Sequence, residues 1–315
     1  MEDDNANTEY KKKILVISGE MNIGGFIAGI LDRLCTYSLK SDQNFCDWTK
    51  IIAVGGGVWP GMILAGSKVG EEQKIQTDSF STQNASRVGE KKNITCVKEI
   101  LKYWISERHY DFTTELCSFI PPFYNDKALQ KKLIKVKFNK LSNNNRTFIA
   151  SYIRKSVFIE KDVEDVQNLV IFNNNSDEET LKKGLLANMS IFGPSARVEL
   201  DPIILPPESI SEYEYNHSEI TFIILNYEMI DPMTTHLSSI RNANILEHIK
   251  KCKNPRVISA FTSINPLHFN SNVRRQLISL GTWAATKYID NYYPHISKLL
   301  DLEVLHKEHD VITVL

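Results

Sequence analysis

The sequence predicts an α/β fold. The unit strand, glycine turn, helix occurs twice near its start, first as ILVIS leading into SGEMNIGGFIAGILDRL and then as IIAV leading into GGGVWPGMILAG. Both strands are continuous β-branched runs, the pattern of parallel strands buried on two faces, and the helices that follow are the crossings such strands need. The length, 315 residues with 42% hydrophobic and 24% charged, suits one generous α/β core or two small ones.

Residues 1–12 (MEDDNANTEYKK) read as a flexible tail, and 13–315 as a single α/β domain. Ile27, Ile30, Leu31 and Leu34 have helical spacing after the first strand, and MILAG follows Pro60 as a second apolar helix. Residues 67–92 have no period and many Ser, Gln and Lys, which predicts a long mobile surface loop. Cys96, Val97, Ile100, Leu101, Trp104 and Ile105 mark an amphipathic helix, and another is expected near Asp126. RTFIASYI, KSVFIEK and VQNLVIF are strand candidates that would extend the sheet in mixed fashion. Ser176 and Glu179 form an apparent capping box for a helix through Leu186, stopping near Gly193 and Pro194. ITFIILN and RVISAFTSI complete the strands, with helices around 236–252, 272–289 and 294–303 and a possible terminal edge strand in VITVL.

The two strand–turn–helix units resemble the signature sites of the patatin-like phospholipases. Ala28, Gly29, Ile30, Leu31, Asp32 and Leu34 match that family's first helix, and LLANMSIFGPSARVELDPIILPP is similar to its later helix and Pro-Pro turn. The resemblance implies a three-layer α/β/α fold with a mostly parallel central sheet. It also implies an oxyanion loop at Gly19, Glu20, Met21 and Gly24, and a nucleophile elbow at Gly55–Trp59. Glu20 and Met21 stand where two glycines belong, and Ile23 where a basic residue belongs. Backbone N–H groups must come within about 3 Å of a developing oxyanion, so side chains there obstruct and a carboxylate repels. The nucleophile position falls on Gly57, which has no group to attack with. No DGG turn lies between Pro207 and ITFIILN, where only ESISEYEYNHSE intervenes with no space for a further helix; His217 and Asn216 are nearby but replace no carboxylate. The expectation is a catalytically inactive, patatin-like protein with a lipid-binding or structural, assembling role. Two alternatives stand beside it. One is an active lipid acyl hydrolase with a displaced nucleophile at Ser67, Ser18 or Cys46. The other is a self-assembling protein whose cleft is filled by Met21 and Trp59.

Thirty-seven basic against 38 acidic side chains leave a net charge of −1, so no global field attracts nucleic acid. Locally, Lys127–Ile159 carries nine basic residues and no acid; Lys131, Lys132, Lys135, Lys137 and Lys140 alternate with Leu133, Val136 and Phe138. That segment suits an anionic lipid or membrane surface, or simply a solvated helix face balanced by acids elsewhere. No cofactor is expected: GxxxxGK[ST] is absent, GxGxxG fits only loosely at 55–61, and the His306, His309, Asp310 cluster is a weak metal pattern. Homo-oligomers or other protein partners remain open. Five cysteines without a CxxC pair, no leader and no membrane-spanning run point to an intracellular, reducing setting.

Overall fold

The computed structural model describes residues 12–20, 22–41, 43–66, 113–114, 123–124, 146–154, 169–189, 200–201, 205–206, 208–227, 232–264 and 271–297. The two β-branched runs are strands β1 (Lys13–Gly19) and β2 (Lys50–Gly55), buried on both faces beyond their first residue. Helix α1 (Ile23–Lys40) joins them, and α2 (Val58–Gly66) follows β2. Two short strands, β3 (Thr113–Thr114) and β4 (Phe123–Tyr124), pair with each other. Then come β5 (Thr147–Arg154), β6 (Leu169–Asn173), α3 (Glu178–Met189) and β7 (Leu200–Asp201). The last described part contains α4 (Glu212–His217), β8 (Glu219–Tyr227), α5 (Pro232–Lys251), β9 (Pro255–Thr262) and α6 (Ser271–Tyr292).

Among the described residues the main sheet has seven strands, in the order β6-β5-β2-β1-β8-β9 with β7 also on β5. β5, β2, β1, β8 and β9 run parallel, while β6 and β7 are antiparallel to β5. The chain therefore starts in the middle, moves outward to β2 and β5, and returns to the other side of β1 for β8 and β9. Right-handed crossings then require α1 and α2 on one face and α5 on the other. The packing agrees. Leu15, Ile17, Ile51, Ala53, Ile223 and Ile258 face a core shared with α1, α2, α3 and α6. Ile14, Val16, Ile52, Val54, Ile220 and Phe222 face a second core with Ile210, Ile245 and Cys252. The result is a three-layer α/β/α arrangement with a mostly parallel sheet, as expected.

Helix boundaries depart from expectation in three places, each for a local reason. α2 starts at Val58, so Pro60 lies within its first turn, where a missing N–H is tolerated. The cap of α3 is Asp177 rather than Ser176: its carboxylate accepts from Thr180 N–H at 2.8 Å and Thr180 Oγ1 at 2.7 Å. Ser176 Oγ instead accepts from Asn173 N at 3.0 Å, closing the preceding turn. The segment before β8 does hold a helix, α4, whose capping box is Ser211 with Glu214. Lys50 Nζ meets the same Glu214 carboxylate at 2.8 and 3.0 Å, so a short helix is anchored to the sheet.

The loop at 67–92, the helices from Asn93 and near Asp126, the strand KSVFIEK, the stop at Gly193 and Pro194, the end of the 294–303 helix, VITVL and His306–Asp310 lie outside the described residues. Met21, Ser67 and the lysines at 131, 132, 135, 137 and 140 do too. Among the described residues, no helix is long and apolar enough to cross a membrane.

Candidate functional site

In an open parallel sheet, reactive groups collect beyond the carboxyl ends of the strands, at the point where the chain reverses its direction of travel across the sheet. Here that point lies between β1 and β8, beside β2. Gly19 ends β1 in register with Gly55 at the end of β2, and the glycine turn Gly55–Gly57 sits next to both. Val58 begins α2 immediately afterwards, so Gly57 occupies the junction of strand and helix.

Every glycine N–H of this turn is already engaged. Gly55 N donates to Asn188 Oδ1 at 3.0 Å, Gly56 N to Gly19 O at 2.8 Å and Gly57 N to Val54 O at 3.3 Å. Gly61 N returns to Gly57 O at 2.9 Å, carrying helical bonding back to the junction. None of the three N–H groups is left to face a developing negative charge. Gly55 has φ 61°, the left-handed region that glycine enters without strain. At Gly57 the constraint is space: an added Cβ would lie 2.7 Å from Ile17 Cγ2 and 2.8 Å from the Ile17 carbonyl oxygen. The Ile17 carbonyl and the branched Cγ2 beside it fill the volume a nucleophile's Cβ would need.

Across from the turn, Asn22 precedes α1 and is 3% exposed. Its Oδ1 accepts from the Tyr227 hydroxyl at the end of β8, joining the two strands that flank the reversal point. The Ile23 side chain occupies the space above Gly19, and Ile23 N donates to Glu20 O at 3.1 Å. Trp59 is buried in the first core. Gly24 lies in the first turn of α1. Met21 lies outside the described residues.

The structure brings Gly19, Glu20, Asn22 and Gly55–Gly57 to one edge of the sheet. Other candidates are elsewhere. Cys46 precedes β2 and so sits at the amino edge, the opposite end of the strand from the glycine turn. His217 and Asn216 are exposed at the end of α4, just ahead of β8, at that same far edge. Ser18 is on β1 close to the turn and is 1% exposed, but it has the parity of Ile14 and Val16, facing the second core; Gly57 abuts Ile17, which faces the first. Ser18 thus faces the opposite side of the sheet from Gly57, and Cys46 lies at the opposite end of the strand. Ser67 lies outside the described residues.

Sequence reading missed Asn188. Its Nδ2 donates to Ser151 O at 3.0 Å and Gly184 O at 2.8 Å while its Oδ1 holds Gly55 N, so one carboxamide ties α3 and β5 to the glycine turn. The signal available was a buried polar residue inside LLANM, which requires partners but does not name them.

A second polar cluster lies at the amino edge. The Tyr215 hydroxyl bonds His248 Nδ1, and Cys252 Sγ donates to His248 O at 3.2 Å. Burial lowers the His248 pKa, and pushes Tyr215 up to about 12 and Cys252 up to about 11. These shifts keep phenol and thiol protonated and imidazole neutral, the opposite of an activated nucleophile. Among the described residues, no group of three or more His, Cys, Asp or Glu is placed to hold a metal.

No protein-family model and no curated protein matches this chain. Among solved structures it is similar to the heterodimeric complex ExoU-SpcU from the type III secretion system of Pseudomonas aeruginosa, at 11% identity and a TM-score of 0.33. That alignment takes in 96% of this chain and 61% of the other, so the chain spans less than two thirds of its length. So loose a likeness carries no conclusion about activity.

Proposed function

We propose that this chain is a non-catalytic, patatin-like α/β protein that works by binding or assembly rather than hydrolysis. The observation that supports it best is the strand–helix junction after β2. Gly55, Gly56 and Gly57 are all glycine, so a shift of register by one or two residues still supplies no nucleophile. The Gly57 Cβ space is taken by the Ile17 backbone, and the turn's N–H groups are bonded inside the fold. Removing the nucleophile of a hydrolase leaves only residual catalysis. Here the N–H groups of Gly55, Gly56 and Gly57 are bonded within the fold as well.

Two roles follow from such a scaffold: holding a lipid in the cleft region, or forming an assembly surface with copies of itself or other proteins. Purified protein incubated with a fluorogenic ester and with phospholipid vesicles should show no turnover above buffer. Hydrolysis sensitive to a serine-reactive fluorophosphonate would discard the proposal. Mass spectrometry of lipids extracted from the purified protein then separates the roles, bound lipid favouring the first and its absence, with a large size-exclusion mass, the second.

A further inference from the structure

Outside the glycine turn, one pair of reactive side chains stands out. Cys35, on α1, and Cys46, in the segment entering β2, have their sulfur atoms 3.7 Å apart, and both carry thiols. They are 6% and 4% exposed, within the first core. The Cys46 backbone is held on either side. Its N–H donates to Asn44 Oδ1 at 2.9 Å, and its carbonyl accepts from Arg146 Nη2 at 3.1 Å. Arg146 Nη1 reaches Leu64 O at 3.0 Å, and Asp47 is paired with Lys13 at 2.8 Å. The fold thus places both thiols in contact and fixes the backbone of one. Closing to the length of a disulfide, about 2.0 Å, requires the sulfur atoms to approach by less than about 2 Å.

We infer that Cys35 and Cys46 form a dithiol site that closes to an intrachain disulfide, stapling α1 to the entrance of β2. The oxidant is a low-molecular-weight disulfide. The Cys46 thiolate attacks one of its sulfurs, forming a mixed disulfide and releasing one thiolate. The Cys35 thiolate then attacks Cys46 Sγ, forming the Cys35–Cys46 bond and releasing the second thiolate. The two protons from the cysteines end on the two released thiols, and the small disulfide takes up both electrons. Burial makes the step slow, because the two thiols must become exposed before the oxidant reaches either sulfur. This inference is independent of the catalytic reading and stands if that reading fails.

The test uses the full chain, reduced and then incubated with oxidised glutathione without denaturant. Free thiols are blocked after unfolding and the protein is mapped by mass spectrometry. A peptide pair linked through Cys35 and Cys46 is expected as the main product, with a thermal midpoint about 5 °C above that of reduced protein. The Cys46→Ala variant should lose the link and the thermal rise, while Cys252→Ala keeps both. Recovery of both cysteines as blocked thiols, links mainly to Cys96, Cys117 or Cys252, or an unchanged midpoint in linked protein would overturn the inference. Should Cys46→Ala fail to fold, the wild-type map decides.

Discussion

Gly57 is held by two demands that no other residue meets together. It must follow the left-handed Gly55 closely enough to start α2, and it must let the Ile17 backbone pass within van der Waals contact. Gly57→Ser would therefore strain the fold rather than create a nucleophile, because its Cβ meets a backbone carbonyl at 2.8 Å that cannot rotate away. The expected cost is about 2 kcal/mol, the scale of overpacking a tight core. It should appear as a lower urea midpoint with no gain in ester hydrolysis. Recovered esterase activity at unchanged stability would show that the space is available after all. Part of this site was legible in the sequence, since three successive glycines between an apolar run and a helix announce a tight turn. The engagement of their N–H groups was not. Gly55 finds its acceptor on Asn188, 133 residues away, and no local pattern reports such a partner. Cys46 and His217 each adjoin a strand in sequence, but on the side where that strand enters the sheet, away from the glycine turn.

Helix α1 shows how an element can match a pattern for reasons of packing. Gly29 sits against the backbone of α6, where an added Cβ would collide with the Ile278 carbonyl oxygen and lie 2.9 Å from Thr282 N. Gly281 makes the reciprocal approach to Phe26 O and Ile30 N. Arg33 Nε donates to Thr286 Oγ1 at 3.1 Å farther along the same crossing. The glycine in AGILDRL therefore serves helix–helix contact. Gly29→Ala should lose about 2 kcal/mol, since overpacking of about 3 outweighs a helix-propensity gain of about 1. Gly25→Ala should cost less than Gly29→Ala, because its Cβ would meet Leu277 Cβ at 3.1 Å and a backbone oxygen, that of Arg274, only at 3.5 Å. Thermal melts of both variants check the contrast; equal losses would argue against backbone contact as the cause. The strands and long helices were readable because their apolar runs are strong. α4 is spelled by its cap, Ser211-x-x-Glu214, although the family resemblance leaves no room for a helix before β8.

For the molecule as a whole, acid should loosen the amino edge of the sheet in two stages. His248 is kept neutral chiefly by burial, its folded pKa lying below the ordinary 6.5. Unfolded chains then bind more protons once pH falls through about 6.5, so stability declines from there until the folded imidazole also protonates. Burial alone would raise the Glu214 pKa, but Lys50 and the Ser211 cap outweigh it and hold the carboxyl below 4.5. Its contribution is present above 4.5 and is lost as pH drops through the lowered folded value. Urea midpoints measured across pH 7 to 3 should fall in both windows, with Glu214→Gln flattening the lower and His248→Gln the upper. A midpoint flat to pH 4 would mean that the His248 environment is wetter than its burial implies. The sheet order itself followed only partly from sequence: parallel strands were evident, but which of them neighbour β1 is fixed by crossings whose partners are distant. The contact between Gly29 and α6 bears on how the chain comes together during synthesis. The helix Ile23–Lys40 has a close-fitting partner in Ser271–Tyr292, far downstream, so on the ribosome its glycine-lined stripe stays wet until α6 has emerged. Any product ending before Ser271 would leave that stripe uncovered, marking a chain that has not yet received α6.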